Sequence, residues 1–183
     1  MPATSPAGVC SMERTGQQAE PIDGRRQRSP RPKRPGHRAL RTGRIALAEQ
    51  TYLITTTTCE RQRFFEDFDV ACASARCFDD QRLLAGARML TWVLMPDHVH
   101  WLLQLGPIAE LSGQVNRLKP ASSRAANKAL GREGGIWARA FHDHALRRDE
   151  DLTVCARYIV ANPVRAGLVR SVRAYPFWNA IWM

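Results

Sequence analysis

Two apolar runs in the middle of the chain, residues 89–95 and 98–105, are separated only by Pro96 and Asp97. Both runs are rich in aliphatic, aromatic and β-branched residues, which favour strands. A Pro-Asp pair between such runs is typical of a turn. The sequence therefore predicts a β-hairpin, with the second run in the middle of a sheet rather than at its edge.

His98 and His100 lie two residues apart in the second run. Alternate residues of a strand project from the same face, so both imidazoles point to one side while Val99, Trp101 and Leu103 point to the other. Neutral imidazole is a common ligand of divalent metals, and two of them supply half of a metal site. Two half-buried histidines that hydrogen-bond to their neighbours would show the same pattern.

Three segments outside the hairpin carry secondary-structure signals. Residues 51–58 are β-branched and aromatic and predict a strand. Residues 66–85 contain neither proline nor glycine and predict one helix that packs Phe68 on the sheet. Residues 111–130 are helical in composition. The order strand, helix, strand, strand, helix indicates an α+β fold with an antiparallel sheet of the ferredoxin-like or RRM-like kind.

The last third of the chain predicts a short edge strand or irregular segment and then a helix. Residues 136–148 have no clear periodicity, whereas Asp149 and Asp151 suit a helix start. Pro163 is expected to end this helix, because the residue before a proline avoids the α region. With the other helices packed on one face of the sheet, this C-terminal helix is expected beside the other face.

Tyr158 and Asn162 are four residues apart in that helix and share one of its faces. Beside the free sheet face, they would present a phenol and an amide oxygen to His98 and His100. Two imidazoles and one carbonyl oxygen form a three-ligand site with open positions, suited to Mg²⁺ or Mn²⁺. Such a metal acts as a Lewis acid on a phosphate, and a tyrosine can attack as nucleophile. A packed tyrosine and a helix-terminal asparagine would have the same spacing.

The net charge of +10 indicates a polyanionic partner, and the charge is unevenly distributed. Residues 1–44 hold 10 Lys/Arg and 3 acidic residues, whereas the remainder holds 17 and 14. Residues 1–38 are rich in Arg, Pro, Gly and Ser and predict a disordered basic tail, either solvated or resting on phosphates, before a domain over residues 39–183. Five cysteines without a Cys-x-x-Cys pair indicate reduced thiols in a cytoplasmic protein. A polyanionic partner such as DNA would make it nucleoid-associated. We expect no membrane span and no secretory signal.

Two motifs together resemble a known family. The segments MPDHVH (residues 95–100) and YIVANPVRAGLV (residues 158–169) are similar to those of the bacterial REP-associated tyrosine transposases. These proteins are relatives of the single-tyrosine HUH transposases of insertion sequences. The segment FHDHALR (residues 141–147) and the ending YPFW (residues 175–178) support the resemblance, which extends from about residue 34 to the end of the chain.

The resemblance implies a metal-dependent single-strand DNA endonuclease and transferase. The family acts on repetitive extragenic palindromes (REP), which fold into hairpins flanked by a short guide tetranucleotide. His98 and His100 match the family's metal-binding pair, Tyr158 its nucleophile, and Asn162 the residue that completes the metal site. The expected partner is therefore single-stranded or hairpin DNA rather than a small-molecule substrate, and the protein is expected to be a monomer or a homodimer.

Several further residues are candidates for DNA contacts. His142 and His144 form a second His-x-His pair around the polar Asp143, which argues against a buried strand and favours DNA contact or structural hydrogen bonding. Basic side chains near the predicted site are expected to rest on phosphates, although each is equally compatible with a solvated surface charge. The candidates are Lys119, Arg124, His142, His144, Arg147, Arg148 and Arg165.

Two other functions fit the same residues. A non-catalytic protein could bind structured nucleic acid on an RRM-like sheet through Tyr52, Trp92 and basic side chains. A metal-dependent hydrolase could cut DNA with Tyr158 in a merely structural role. Covalent trapping of single-stranded DNA distinguishes both from the transferase, because only the transferase forms a bond that survives SDS.

Overall fold

The computed structural model describes residues 49–147 and 151–182 of the 183-residue chain. The predicted basic tail over residues 1–38 and the candidate Arg148 lie outside the described residues. In chain order, the strands and helices are β1 (Thr51–Thr57), α1 (Phe68–Ala75), α2 (Gln81–Leu84), β2 (Arg88–Met95), β3 (His98–Gln104), α3 (Leu111–Leu130), β4 (His142–Ala145), α4 (Leu152–Val160), α5 (Asn162–Arg165) and β5 (Trp178–Ala180).

The strands form one antiparallel sheet in the order β4-β1-β3-β2-β5. The predicted hairpin is confirmed, because β2 pairs with β3 around the Pro96-Asp97 turn, from Met95 opposite His98 onward. The strand β3 is central, as expected. Its apolar residues Val99, Trp101 and Leu103 are fully buried, whereas His98 and His100 are partly exposed. The alternation in the sequence therefore assigns the two faces of the sheet correctly.

One face of the sheet is covered by α1 and α3, which pack against each other. The ring of Phe78 fills the space between these helices and the sheet, with its centre 5.4 Å from Trp92 and 5.3 Å from Trp101. Full burial of side chains of this size contributes about 1.5–3 kcal/mol each. This apolar layer fixes the sheet and leaves its opposite face for the site.

The prediction of one helix over residues 66–85 is wrong, because the segment forms two helices. The carboxylate of Asp67 accepts hydrogen bonds from the Asp69 and Val70 amides and starts α1, and that of Asp80 accepts from Arg82 and starts α2. The chain between them turns so that Phe78 enters the core. Phe68 does not pack on the sheet either: it is 60% exposed and its ring contacts Phe177.

The C-terminal helix is also interrupted before the position predicted. Asp151 caps α4 as expected, through hydrogen bonds from Thr153 and Val154, but α4 ends at Val160 and α5 resumes at Asn162. Pro163 therefore lies inside the second helix, in its first turn, where a missing N–H is tolerated. The Arg165 amide donates to the Ala161 carbonyl at 3.0 Å, so the helical spacing continues across the junction.

None of the helices in the described ranges is both long and apolar enough to cross a membrane. The four cysteines in these ranges, Cys59, Cys72, Cys77 and Cys155, are partly buried, and no disulfide joins any two of them. Burial raises the pKa of the Cys77 thiol above its ordinary value. These thiols belong to the packing rather than to a disulfide framework.

Candidate active site

The two histidines of β3 stand side by side on the sheet face opposite α1 and α3. Their ring centres are 5.0 Å apart and the ring planes are nearly perpendicular, at 86°. His98 pairs with Thr57 and Met95 on the neighbouring strands, and His100 pairs with Thr55 and Val93. Residues that pair directly across an antiparallel sheet share a face, so the imidazoles rise from the centre of the sheet rather than from its rim.

Each ring is held through its Nδ1 atom. His98 Nδ1 lies 2.6 Å from Asp97 Oδ1, and His100 Nδ1 lies 2.8 Å from Thr55 Oγ1. When Nδ1 carries the hydrogen and donates it to these oxygens, Nε2 keeps its lone pair. Carboxylate and hydroxyl partners of this kind are the usual second layer around metal-bound histidines. Sequence reasoning missed both partners, since it treated Asp97 as a turn residue and Thr55 as part of a strand.

The electrostatics of the site keep His100 neutral. Burial, followed by the charges of His98, Arg165 and Arg61, lowers its pKa from 6.5 to about 4. Burial raises the pKa of the neighbouring Asp97, but the hydrogen bond and charge of His98, with those of Arg61, outweigh burial and hold that pKa below its ordinary value. At neutral pH, His100 is therefore a free base that can bind a cation without first losing a proton.

A tight turn after β1 brings Arg61 to the site. Its Nη1 donates to Asp97 Oδ2 at 3.2 Å, so one carboxylate links Arg61 and His98. Glu60 and Arg61 have φ values of 53° and 56°, in the left-handed region that side chains rarely adopt. Backbone strain of this kind persists only where the surrounding structure imposes the conformation. No local sequence signal marked Arg61, because its partner lies 36 residues away.

Tyr158 stands on the outer side of α4. This helix contacts β2 and β5 and buries Ala156, Ile159 and Val160, which leaves Tyr158 57% exposed. The phenol oxygen accepts a hydrogen bond from Arg165 Nη2 at 2.6 Å. The charge of Arg165 also helps to lower the pKa of His100, so this guanidinium acts electrostatically on the histidine pair while it donates to the tyrosine.

Asn162 lies between Tyr158 and Arg165 along the same helical path. The spacing of four and then three residues, continued across the α4–α5 junction, places these three residues on one face. Asn162 Nδ2 donates to the Ile159 carbonyl at 2.8 Å and so caps the end of α4. Among the described residues, no donor reaches its amide oxygen.

The side chains at this site could bind a divalent metal only through both nitrogen and oxygen ligands. Within residues 49–147 and 151–182, no three His, Cys, Asp or Glu side chains are grouped to hold an ion. The two Nε2 atoms would therefore need oxygen ligands, of which the Asn162 amide is the candidate on this chain. Hard oxygen ligands beside two imidazoles suit Mn²⁺ or Mg²⁺.

The second histidine pair lies on the same sheet face as the first. In the edge strand β4, His142 pairs with Thr55, which in turn pairs with His100 on the next strand. His144 pairs with Leu53, one row further along. The prediction of a short edge strand here is confirmed, and both histidines are exposed. The pairing of β4 with β1 places them on this face, which the sequence could not indicate.

The remaining basic candidates are dispersed. Lys119 of α3 donates through Nζ to the carbonyls of residues 138, 139 and 140, just before β4. Arg124 is exposed on the same helix, in the layer on the opposite side of the sheet from the histidines, where its charge acts on Cys77. Arg147 is exposed directly after β4. Of these basic candidates, Arg165 is the one whose charge acts on His100. DNA contact by any of them, Arg165 included, stays a prediction.

The RRM-like alternative does not fit the sheet. Tyr52 and Trp92, its proposed base-stacking residues, are each only 6% exposed. The Trp92 indole nitrogen donates to Asp79 and its ring packs on Phe78. Side chains committed to the core cannot stack on nucleobases, so this hypothesis is wrong in the residues that it names.

Two curated proteins are similar to this chain in sequence. A putative REP-associated tyrosine transposase of Haemophilus influenzae is 39% identical over 94 residues, covering 46% of this chain and 53% of the relative. A REP-associated tyrosine transposase of Escherichia coli is 32% identical over 88 residues, covering 47% and 50%. The chain thus spans about half the length of the curated relatives it matches.

The fold is shared with a solved structure. That structure, described as a REP-associated tyrosine transposase bound to a REP hairpin, matches with a TM-score of 0.56 and 24% identity over 74% of this chain and 79% of that one. The family model described as "Transposase IS200 like" matches residues 47–162, from just before β1 to Asn162. Because this match covers well over half of the 183 residues and contains His98, His100 and Tyr158, the chain belongs to the IS200-like transposase family.

Proposed function

We propose that the protein is a metal-dependent single-strand DNA endonuclease and transferase that forms a 5′-phosphotyrosine intermediate through Tyr158. The observation that supports this most directly is the pairing of two features on one sheet face. Two imidazoles, each anchored through Nδ1, present their free nitrogens there, and the exposed phenol of Tyr158 stands on a helix packed beside them.

The reaction is a transesterification. The Tyr158 phenol oxygen attacks a backbone phosphorus, the bond from phosphorus to the 3′ oxygen breaks, and the 3′ oxygen leaves as a hydroxyl with the proton that the phenol gives up. The phosphate remains esterified to Tyr158 on the 5′ side, so a second 3′-hydroxyl can reverse the step and join a strand.

The chain's own residues would hold both the ion and the DNA. His98, His100 and the Asn162 amide oxygen would bind Mg²⁺ or Mn²⁺, which when bound supplies Lewis-acid stabilisation of charge on the phosphate. Asp97 and Thr55 keep the imidazoles oriented. Arg61 adds positive charge on the Asp97 side of the pair, where a DNA phosphate can approach.

The substrate proposed is a hairpin of the REP type with an unpaired flank. The names of the relatives from Haemophilus influenzae and Escherichia coli refer to such sequences, and the structure that shares the fold holds a REP hairpin. The exposed His142 and His144, beside the paired imidazoles on the same face, offer contacts for the flanking strand. Whether the protein also moves DNA between sites depends on the second transfer step.

The enzyme is expected to cleave one single strand that carries the hairpin and to spare the annealed duplex. A phenol beside an ion needs one phosphate placed in line between them. A flexible strand can bend into that position, whereas a duplex stiffens the phosphate and brings a second strand against the sheet. The test offers top strand, bottom strand and duplex with Mn²⁺ or Mg²⁺ and looks for a 5′-phosphotyrosyl product beside the hairpin foot. Equal cutting of the duplex would instead favour an ordinary metal nuclease.

Deletion of residues 1–38 is expected to leave a folded, active domain that binds DNA more weakly and with less salt dependence. The segment carries 8 Lys/Arg against 3 acidic residues, and removing each phosphate-bound cation should flatten the log–log salt slope by roughly 0.7 on single strands. The measurement is hairpin affinity over a salt series for both chains. An identical slope would show that these residues do not touch DNA.

A further inference from the structure

The guanidinium of Arg165 lies against the whole side chain of Tyr158. Its Nη2 donates to the phenol oxygen at 2.6 Å, and its central carbon lies 3.8 Å from the ring centre. Its Nη1 also donates to the Tyr158 backbone carbonyl at 3.4 Å. One side chain thus contacts the tip, the ring and the backbone of a tyrosine that is otherwise largely exposed.

The geometry of the α4–α5 junction places Arg165 next to Tyr158. Arg165 is seven residues after Tyr158, which is two turns on a continuous helical path. The buried Pro163 and the hydrogen bond from the Arg165 amide to the Ala161 carbonyl maintain that path. Gly167, with a φ of 71°, then ends α5. α5 also contacts β2, whose Val93 and Met95 pair with the two site histidines.

We propose that Arg165 is a positioning residue that holds the Tyr158 phenol for attack, rather than mainly a phosphate contact. This role rests on the proposed function of Tyr158 as the nucleophile. An exposed tyrosine on a helix otherwise samples several rotamers, and a nucleophile that is misplaced by about 1 Å loses much of its rate. Because the guanidinium donates to the phenol oxygen, the hydrogen of the phenol is directed elsewhere and can be lost to an acceptor.

The two roles for Arg165 predict different kinetics. A positioning residue controls the rate at saturating DNA, whereas a phosphate contact controls affinity. Arg157 provides a matched control, since it is an exposed arginine of α4 directly before Tyr158, and its charge acts on Asp151 at the other end of the helix. Within the part of the chain that the structure describes, the phenol's side-chain hydrogen bond is to Arg165 and none is to Arg157.

The kinetic experiment compares R165A, R165K and R157A in the full chain. At saturating hairpin DNA, R165A is expected to form the covalent adduct about 10- to 100-fold more slowly than the wild type. Its hairpin affinity should stay close to that of the wild type, and free guanidinium should restore part of the rate. R165K should be intermediate, because an ammonium keeps the charge but cannot stack flat on the ring face as the planar guanidinium does. A weaker affinity with an unchanged saturating rate, or a rate equal to that of R157A, would overturn the proposal.

A second measurement needs no cleavage. The chain has three tyrosines, and Tyr52 and Tyr175 are buried. In DNA-free protein with isotope-labelled tyrosine rings, R165K should move the nuclear magnetic resonance signal of Tyr158 and leave the other two in place, whereas R157A should move none. An unmoved Tyr158 signal would overturn the contact itself. If the wild-type protein forms no covalent adduct, the proposed function is wrong. Arg165 would then have no role in catalysis, even if the spectrum still shows its contact with Tyr158.

Discussion

Replacing Tyr158 with phenylalanine is expected to abolish covalent DNA cleavage while hairpin binding stays unchanged. The substitution deletes one hydroxyl group and keeps the ring, so the stacking of Arg165 on that ring persists. No other group at the site can form the phosphotyrosine, and the loss should be complete within the limits of the assay. Because Tyr158 is mostly exposed, removing its hydroxyl leaves no buried donor unpaired and should change the melting temperature little.

The measurement is denaturing electrophoresis of labelled hairpin DNA after incubation with Mn²⁺ or Mg²⁺. The wild type should give an SDS-resistant protein–DNA band and Tyr158→Phe none, while a gel-shift assay gives the same affinity for both. Mass spectrometry should place the adduct on the peptide that contains Tyr158. Normal cleavage by the phenylalanine variant, without an adduct, would instead support the alternative function of a metal-dependent hydrolase.

Replacing either His98 or His100 with alanine is expected to abolish metal-dependent cleavage. Loss of residues that merely orient a ligand typically costs 10- to 100-fold in metal affinity or activity, so loss of a ligand itself should cost at least about 100-fold. Asn162→Ala should be milder, because water can replace a neutral oxygen ligand, and high Mn²⁺ should rescue it best. Cleavage rates over a Mn²⁺ series measure this ranking.

The histidine variants need a control on the same strand face. Gln104 is four residues beyond His100 on β3, at the far end of the strand, so Gln104→Ala should leave cleavage intact. Asn162→Ala also removes the amide that caps α4, and its melting temperature must therefore be compared with that of the wild type. If Asn162→Ala proved the most damaging of the three variants in a folded protein, the ligand roles would have to be reassigned.

Much of the candidate site could be predicted from residue patterns within single strands and helices. The alternation of Val99, Trp101 and Leu103 with His98 and His100 assigned both faces of β3 correctly, because side-chain direction in a strand depends only on parity. The family match confirms the resemblance and covers the motif at residues 95–100 and the first five residues of the motif at residues 158–169. The roles of the individual residues in those motifs stay predictions until the variants are measured.

The sequence pattern gave wrong helix bounds where helix capping and core packing outweigh the helical preference of the residues. Residues 66–85 have a helical composition throughout, but the Asp80 carboxylate starts a new helix and Phe78 gains more by entering the core than by continuing the first one. Pro163 reads as a helix stop in the sequence. In the fold it occupies the first turn of α5, where its missing amide hydrogen has no cost.

Strand and helix periodicity in the sequence by itself determined which residues can act together: the paired imidazoles on one strand face, and the phenol and amide four residues apart on one helix. Only the tertiary structure decided what holds them. Asp97 and Thr55 reach the histidine rings, Arg61 reaches Asp97, and His142 joins the same face through β4. Most of these contacts join residues tens of positions apart, and strand pairing and burial set them rather than any local spacing. The contact between Arg165 and Tyr158 also depends on the tertiary structure. The sequence predicted a helix end at Pro163, whereas in the fold α5 packs against β2 and continues the helical path as far as Arg165.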